Sequence, residues 1–159
     1  MNTGVISSRY ARALLKYTLQ TGRGEQVFAQ VRHILKDPDA VSTMELEDDL
    51  QRFIALLDRK GRMEYVRLAF SSFVRMYCDA AGIRIVHLKT AVPSPALEVK
   101  LGEELSRMTG CRILMDTEVE PDLIGGFVFE ISGRRLDASV RHRLDSIGRQ
   151  FTETNRRIV

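Results

Sequence analysis

The sequence predicts an α+β chain: an N-terminal all-α helical bundle over residues 1–82, then a small C-terminal α/β domain over residues 83–159. The second domain is expected to hold a βαβ unit, a hairpin and a last helix. Three observations carry this reading. Four amphipathic stripes at helical spacing follow one another as far as Gly82, the run IRIVHLKTAV then abandons that period for β-branched residues, and glycine or proline punctuates each junction.

The first stripe is Ile6, Tyr10, Ala13, Leu14 and Tyr17, stopped by Thr21, Gly22 and Gly24, with Val5, Leu15 and Leu19 left for a second surface. Val27, Phe28, Val31, Ile34 and Leu35 form the second, closed by Pro38, because proline disfavours helix in the residue before it. After an acidic connector from Asp39 to Glu45, Leu46, Leu50, Phe53, Ile54 and Leu57 give a third helix, ended near Gly61. A fourth, from about Met63 to Ala81, aligns Val66, Phe70, Phe73, Val74, Tyr77 and Ala81 on one face. Four amphipathic helices in succession imply a bundle.

A strand is expected from Ile83, followed by a helix capped by Ser94 with Pro95 at its first position. Leu97, Leu101, Leu105 and Met108 should form its buried stripe and Gly110 its end. A second strand from Cys111 to Val119 completes a βαβ unit with parallel outer strands. Phe127 to Ile131, a Ser132–Gly133 turn and a return through Arg135 and Leu136 read as a hairpin. Either Asp137 or Ser139 caps the last helix, with Val140, Leu144, Ile147 and Phe151 as its buried anchors.

Function classes narrow by exclusion. The 159 residues, 44% hydrophobic and 28% charged, describe a globular chain whose apolar runs are too short to cross a bilayer. No secretory signal is apparent at the N-terminus. His33, His87 and His142 lie in different elements without Cys, Asp or Glu at ligand spacing, so no metal or cofactor is expected. The only paired glycines, Gly125 and Gly126, precede a strand and not a helix, which argues for a bulge or close backbone contact and against a phosphate loop. The acids Glu45, Glu47, Asp48 and Asp49 suit the positive end of helix three. From Arg134 onward seven arginines face three acids, and the chain carries a net charge of +3, so an acidic partner is expected. A basic nucleic-acid-binding module is the alternative, although single-strand binders interleave exposed aromatics and this segment offers only Phe151.

The stretch Pro121 to Leu144, PDLIGGFVFEISGRRLDASVRHRL, resembles the C-terminal signature of the delta subunit of F-type ATP synthases, the oligomycin-sensitivity-conferring protein family. The pattern falls on Leu123, Ile124, Gly125, Gly126, the strand Phe127 to Ile131, then Asp137, Ser139, Val140, Arg141 and Leu144. RYARALLKYTLQTG is similar to the family's opening helix, and DRKGRM to the turn before its last bundle helix. Ala138 stands where the signature has glycine, and the connector at residues 37–46 is shorter than the family's. The resemblance implies a non-catalytic stator subunit that links the catalytic head to the peripheral stalk during proton-driven rotation. In that role the bundle grips the N-terminal helices of the alpha subunits, for which Tyr10, Leu14, Leu15, Leu19, Leu50 and Ile54 are the candidate contacts beside helices one and three. The smaller domain then holds the b subunits, with Arg141 and Arg149 as candidate contacts. The chain is accordingly expected on the cytoplasmic side of the bacterial inner membrane, held there peripherally through the complex.

Overall fold

The computed structural model describes residues 3–147, and the chain divides into two compact units, Met1–Ala81 and Gly82–Val159. The architecture is α+β, as the sequence predicts.

The first unit contains α1 (Thr3–Thr21), α2 (Gly24–Lys36), a 3-10 segment (Pro38–Ser42), α3 (Asp48–Arg59), a short 3-10 turn (Met63–Tyr65) and α4 (Val66–Ala81). Helix α4 is the hub, with α1 and α2 packed on it and α3 against α1. Two aromatic chains run through the interior: Tyr10 meets Phe53 edge-on at 6.3 Å and Phe53 stacks on Phe70 at 6.1 Å, while Phe28 stacks on Tyr77 at 4.6 Å and Tyr77 lies 6.0 Å from Phe73. Each fully buried ring or leucine here stabilises the fold by about 1.5–3 kcal/mol. Helix α3 closes on a Schellman pair: the Arg62 N–H donates to the Leu57 carbonyl at 2.9 Å and that of Gly61 to Asp58 at 2.8 Å.

The inward face of α1 differs from the predicted stripe. Ser7, Ala11, Leu14 and Thr18 are buried, whereas Ile6 and Tyr10 are half-buried and Tyr17 is exposed. Small side chains let α1 lie close to α4, and the two buried hydroxyls satisfy themselves within the helix, Ser7 on the carbonyls of Thr3 and Gly4 and Thr18 on that of Leu15. The larger apolar residues are thereby turned toward α3.

The second unit is a four-stranded sheet of order β2-β1-β3-β4, with β1 (Ile83–Thr90) parallel to β2 (Arg112–Val119) and antiparallel to β3 (Phe127–Ile131), which pairs with β4 (Arg134–Asp137). Helix α5 (Pro95–Thr109) makes the crossover between the parallel strands and packs on β2. Val86, Leu88 and Thr90 of β1 are buried. On the other face, His87 lies 3.8 Å from Asp116 and Lys89 bridges Glu120 at 2.7 Å and Glu118 at 3.5 Å. Ser132 and Gly133 both have positive φ, the geometry of a tight hairpin whose twist matches its strands.

Three local expectations are corrected. Ser94 occupies the N-cap of α5, but its side chain makes no capping bond; its carbonyl accepts from Leu97 and Glu98 instead. Met108 is 79% exposed, so the buried stripe of α5 ends at Leu105. The last helix, α6, begins at residue 140 and continues to the end of the described region, and Val140, Leu144 and Ile147 on it are exposed where burial is expected. Phe151 lies outside the described residues.

Gly102 sits within α5 with open space where a side chain would project. Gly102→Ala is therefore expected to raise stability by about 0.5–1 kcal/mol in urea denaturation, through helix propensity alone.

Candidate docking surfaces

The turning of α1 creates a groove. Val5, Ile6, Tyr10, Ala13 and Tyr17 of α1 face Phe53 and Leu56 of α3 across a cleft of about 760 Å³, whose rim carries Arg9, Arg52 and Arg62. Two of these arginines, Arg52 on α3 and Arg62 in the turn that follows it, are bonded to tyrosines of α1. Arg52 donates to the Tyr17 hydroxyl at 3.1 Å, and Arg62 donates to the Tyr10 hydroxyl at 2.6 Å with its guanidinium carbon 5.7 Å from the centre of that ring. Buried Asp49 accepts from the Thr21 hydroxyl at 2.5 Å, tying the C-terminal end of α1 to the N-terminal end of α3. The polar groups of the cleft are thus guanidiniums, phenols and one carboxylate already bonded within the bundle. They suit recognition of an amphipathic segment, with apolar anchors below and charge selection at the edge.

In the second unit the signature glycines are structural. A Cβ on Gly126 would lie 2.3 Å from the Ala138 carbonyl oxygen, and one on Gly125 would lie 3.0 Å from a Val140 methyl. The entry to β3 and the start of α6 are in backbone contact here, cross-linked by Ala138 N–H to Phe127 O and Val140 N–H to Gly125 O, both at 2.9 Å. Ser139 is the cap: its hydroxyl accepts from the His142 N–H at 3.1 Å. Asp137 Oδ1 in turn accepts from the Ser139 hydroxyl at 2.6 Å and its N–H at 3.1 Å, so the two candidate caps act in series.

Those two Ser139 bonds hold the Asp137 carboxyl below its ordinary value of 3.8, with His142 and Arg135 adding to the effect. A folded-state pKa below the unfolded one contributes stability that is present above the ordinary carboxylate value and is lost as pH falls through the depressed one. Asp137→Asn is therefore expected to be less stable than the natural chain at pH 7, and the gap should narrow below pH ~4, as read by thermal unfolding across pH. Ser139→Ala removes the cap itself and is expected to cost about 0.5–2 kcal/mol.

Residues 38–151, well over half of the chain, match the model of the ATP synthase delta (OSCP) subunit family. The chain belongs to that family. The ATP synthase delta subunit of Bacteroides fragilis is 31% identical over an alignment of 190 positions spanning all of both chains, and that of Phocaeicola vulgatus is 28% identical over 185, again spanning all of both. Since this chain has 159 residues, at least 31 of those 190 positions (190 − 159) hold no residue from it. A chain in the cryo-EM structure of the Toxoplasma gondii mitochondrial ATP synthase hexamer shares the fold, with a TM-score of 0.61 at 16% identity, over 92% of this chain and 97% of that one.

As a delta-family member the chain is a non-catalytic, peripheral-stalk subunit of an F-type ATP synthase. No described helix is long and apolar enough to cross a membrane. The nucleic-acid alternative gains no support from these relatives.

The residues that sequence reasoning picked for this delta-family chain fall in different places. Tyr10 and Leu14 line the groove, but Leu14 does so from the buried face of α1. Leu15 and Ile54 are half-buried and Leu19 is exposed, all three outside the groove lining. Leu50 is 0% exposed and belongs to the core, so it is not available to a partner. Ile6, Ala13, Tyr17, Arg52, Phe53, Leu56 and Arg62 were missed as a group. The available signal was that the α1 stripe is wider than one core contact needs. Arg141 is exposed near Glu120, whose carboxyl is held low chiefly by Lys89 with Arg141 and Arg135 contributing. Arg149 lies outside the described residues.

Proposed function

We propose that this chain ties the catalytic head of the synthase to its peripheral stalk by holding an N-terminal helix of an alpha subunit in the groove between α1 and α3. The observation that carries this reading is the groove itself: an open, apolar cleft between two helices whose large side chains, Val5, Tyr17 and Leu56 among them, are left exposed by the bundle. An apolar trough with this rim fits the apolar face of an amphipathic helix, with anchors at i, i+3, i+4 and i+7. A tether works by affinity and stiffness and needs no bond-making group.

The second contact is assigned to the C-terminal unit and the b subunits. Its apolar part is the exposed stripe Val140, Leu144 and Ile147 of α6, with Arg141 on the same helix supplying charge. This moves the expected contact from the arginines alone to a mixed surface. The location that follows is the cytoplasmic side of the bacterial inner membrane, reached through the complex.

The test is a titration of the purified full chain with a labelled peptide covering the first 25 or so residues of the alpha subunit from the same organism, read by fluorescence anisotropy. Saturable one-to-one binding that is lost on placing a charge in the groove supports the reading. Binding that ignores the groove, or no binding, overturns it.

A further inference from the structure

Resting on that reading of the groove, we propose that the groove selects the sign and spacing of charge on the helix it holds: two carboxylates seven residues apart, along one edge of the apolar stripe. The geometry comes from the two arginine–tyrosine pairs. Tyr10 and Tyr17 are seven residues apart on α1, which at 1.5 Å per residue puts them about two turns, or roughly 10.5 Å, apart on one side of the helix. Arg62 is bonded to the first hydroxyl and Arg52 to the second. Each tyrosine takes up one donor of a five-donor fork, so the remaining N–H groups of each guanidinium stay available at the rim. A helix seated along α1 meets the two forks at the same two-turn interval, and i, i+7 is the spacing that places two of its own side chains on one edge at that interval.

The rim has an excess of positive charge. Arg9 adds a third cation, and Asp49, the single carboxylate of the cleft among the described residues, is buried and bonded to Thr21. The Tyr17 hydroxyl, and after it Asp48 and Asp49, favour the charged form of Arg52. The two acids also offset part of its attraction for a ligand. Both arginines are held in place before binding, which reduces the side-chain entropy that weakens most surface ion pairs. A ligand helix with lysines at the same positions places like charges at the rim, and rejection of that helix is as much a part of the selection as attraction of the acidic one.

The experiment uses the full chain and two synthetic 20-residue amphipathic helices that share one apolar stripe. One carries two glutamates seven residues apart on its edge, and the other carries two lysines there. The glutamate peptide is expected to bind about tenfold more tightly than the lysine peptide at 50 mM salt, and the ratio should shrink toward one at 0.5 M. The double variant R52E/R62E, checked for native helicity by circular dichroism, should invert the preference. R52Q/R62Q should abolish it and serves as a second reading if the reversed charges unfold the bundle. A glutamate pair at a spacing of four should lose most of the advantage. Equal, groove-dependent binding of both peptides overturns the charge proposal and leaves the docking reading standing. If neither peptide binds, and the alpha-subunit peptide does not bind either, both fail.

Discussion

Gly126→Ala is expected to collapse the junction between β3 and α6, lowering the stability of the C-terminal unit by roughly 3–5 kcal/mol. Two causes act together. The residue sits at φ +77, where an L side chain is strained by about 1–2 kcal/mol. The added Cβ would also lie 2.3 Å from the Ala138 carbonyl oxygen and 3.2 Å from the Ser139 Cα, so backbone has to move. That movement works against the Ala138–Phe127 and Val140–Gly125 hydrogen bonds that hold the junction. The control is Gly133→Ala, which has the same φ of +77 and open space around it, and should show the conformational strain alone. Chemical denaturation of the two variants, with proteolysis to find the loosened segment, separates clash from strain. Equal and small losses would mean that the junction yields easily and that the close approach has little structural importance.

The same junction shows what was legible in the sequence. Paired glycines before a strand point to a backbone approach because no other residue permits one, and the approach is there. The parallel β1–β2 pair, the hairpin and the helix stops could be read for similar reasons, since glycine, proline and β-branched residues act locally. The misreadings have a different origin. Helical periodicity says that one face is apolar, not what covers it. In α1 the core takes Ser7, Ala11 and Thr18, because close packing on α4 favours small side chains whose hydroxyls can bond within the helix, and Tyr10 and Tyr17 are displaced to the groove. Along α6 the stripe Val140, Leu144, Ile147 has the period of a core helix and is nonetheless exposed, 54% at Leu144. A helix whose apolar stripe is left exposed and a core helix carry the same pattern, and only the neighbours distinguish them. Likewise Leu50 and Leu56 are equally plausible contacts by composition. The first is sealed beneath the bundle and the second lines the cleft, because six positions along a helix turn a side chain by about 240°.

That difference gives the second large expected effect. Ala13→Arg should reduce binding of the alpha-subunit peptide by about a hundredfold or more, close to 3 kcal/mol, while leaving the stability of the chain within about 0.5 kcal/mol. Ala13 is exposed on the groove side of α1, so arginine there meets no core atom and is a good helix former. Its side chain instead occupies the apolar cleft in which the proposed partner helix would sit and brings a fourth cation among Arg9, Arg52 and Arg62. Leu56→Ala should give a smaller loss, since it removes one anchor without filling the space. Leu50→Ala is the converse case: it opens a cavity in the core and should cost about 2–5 kcal/mol of stability, with peptide binding reduced only as far as the folded fraction falls. Isothermal titration and urea denaturation on the same three preparations place each variant on both axes. If Ala13→Arg binds normally while Leu50→Ala loses binding beyond its unfolded fraction, the partner does not lie in the α1–α3 groove and the contact must be sought on another face of the bundle.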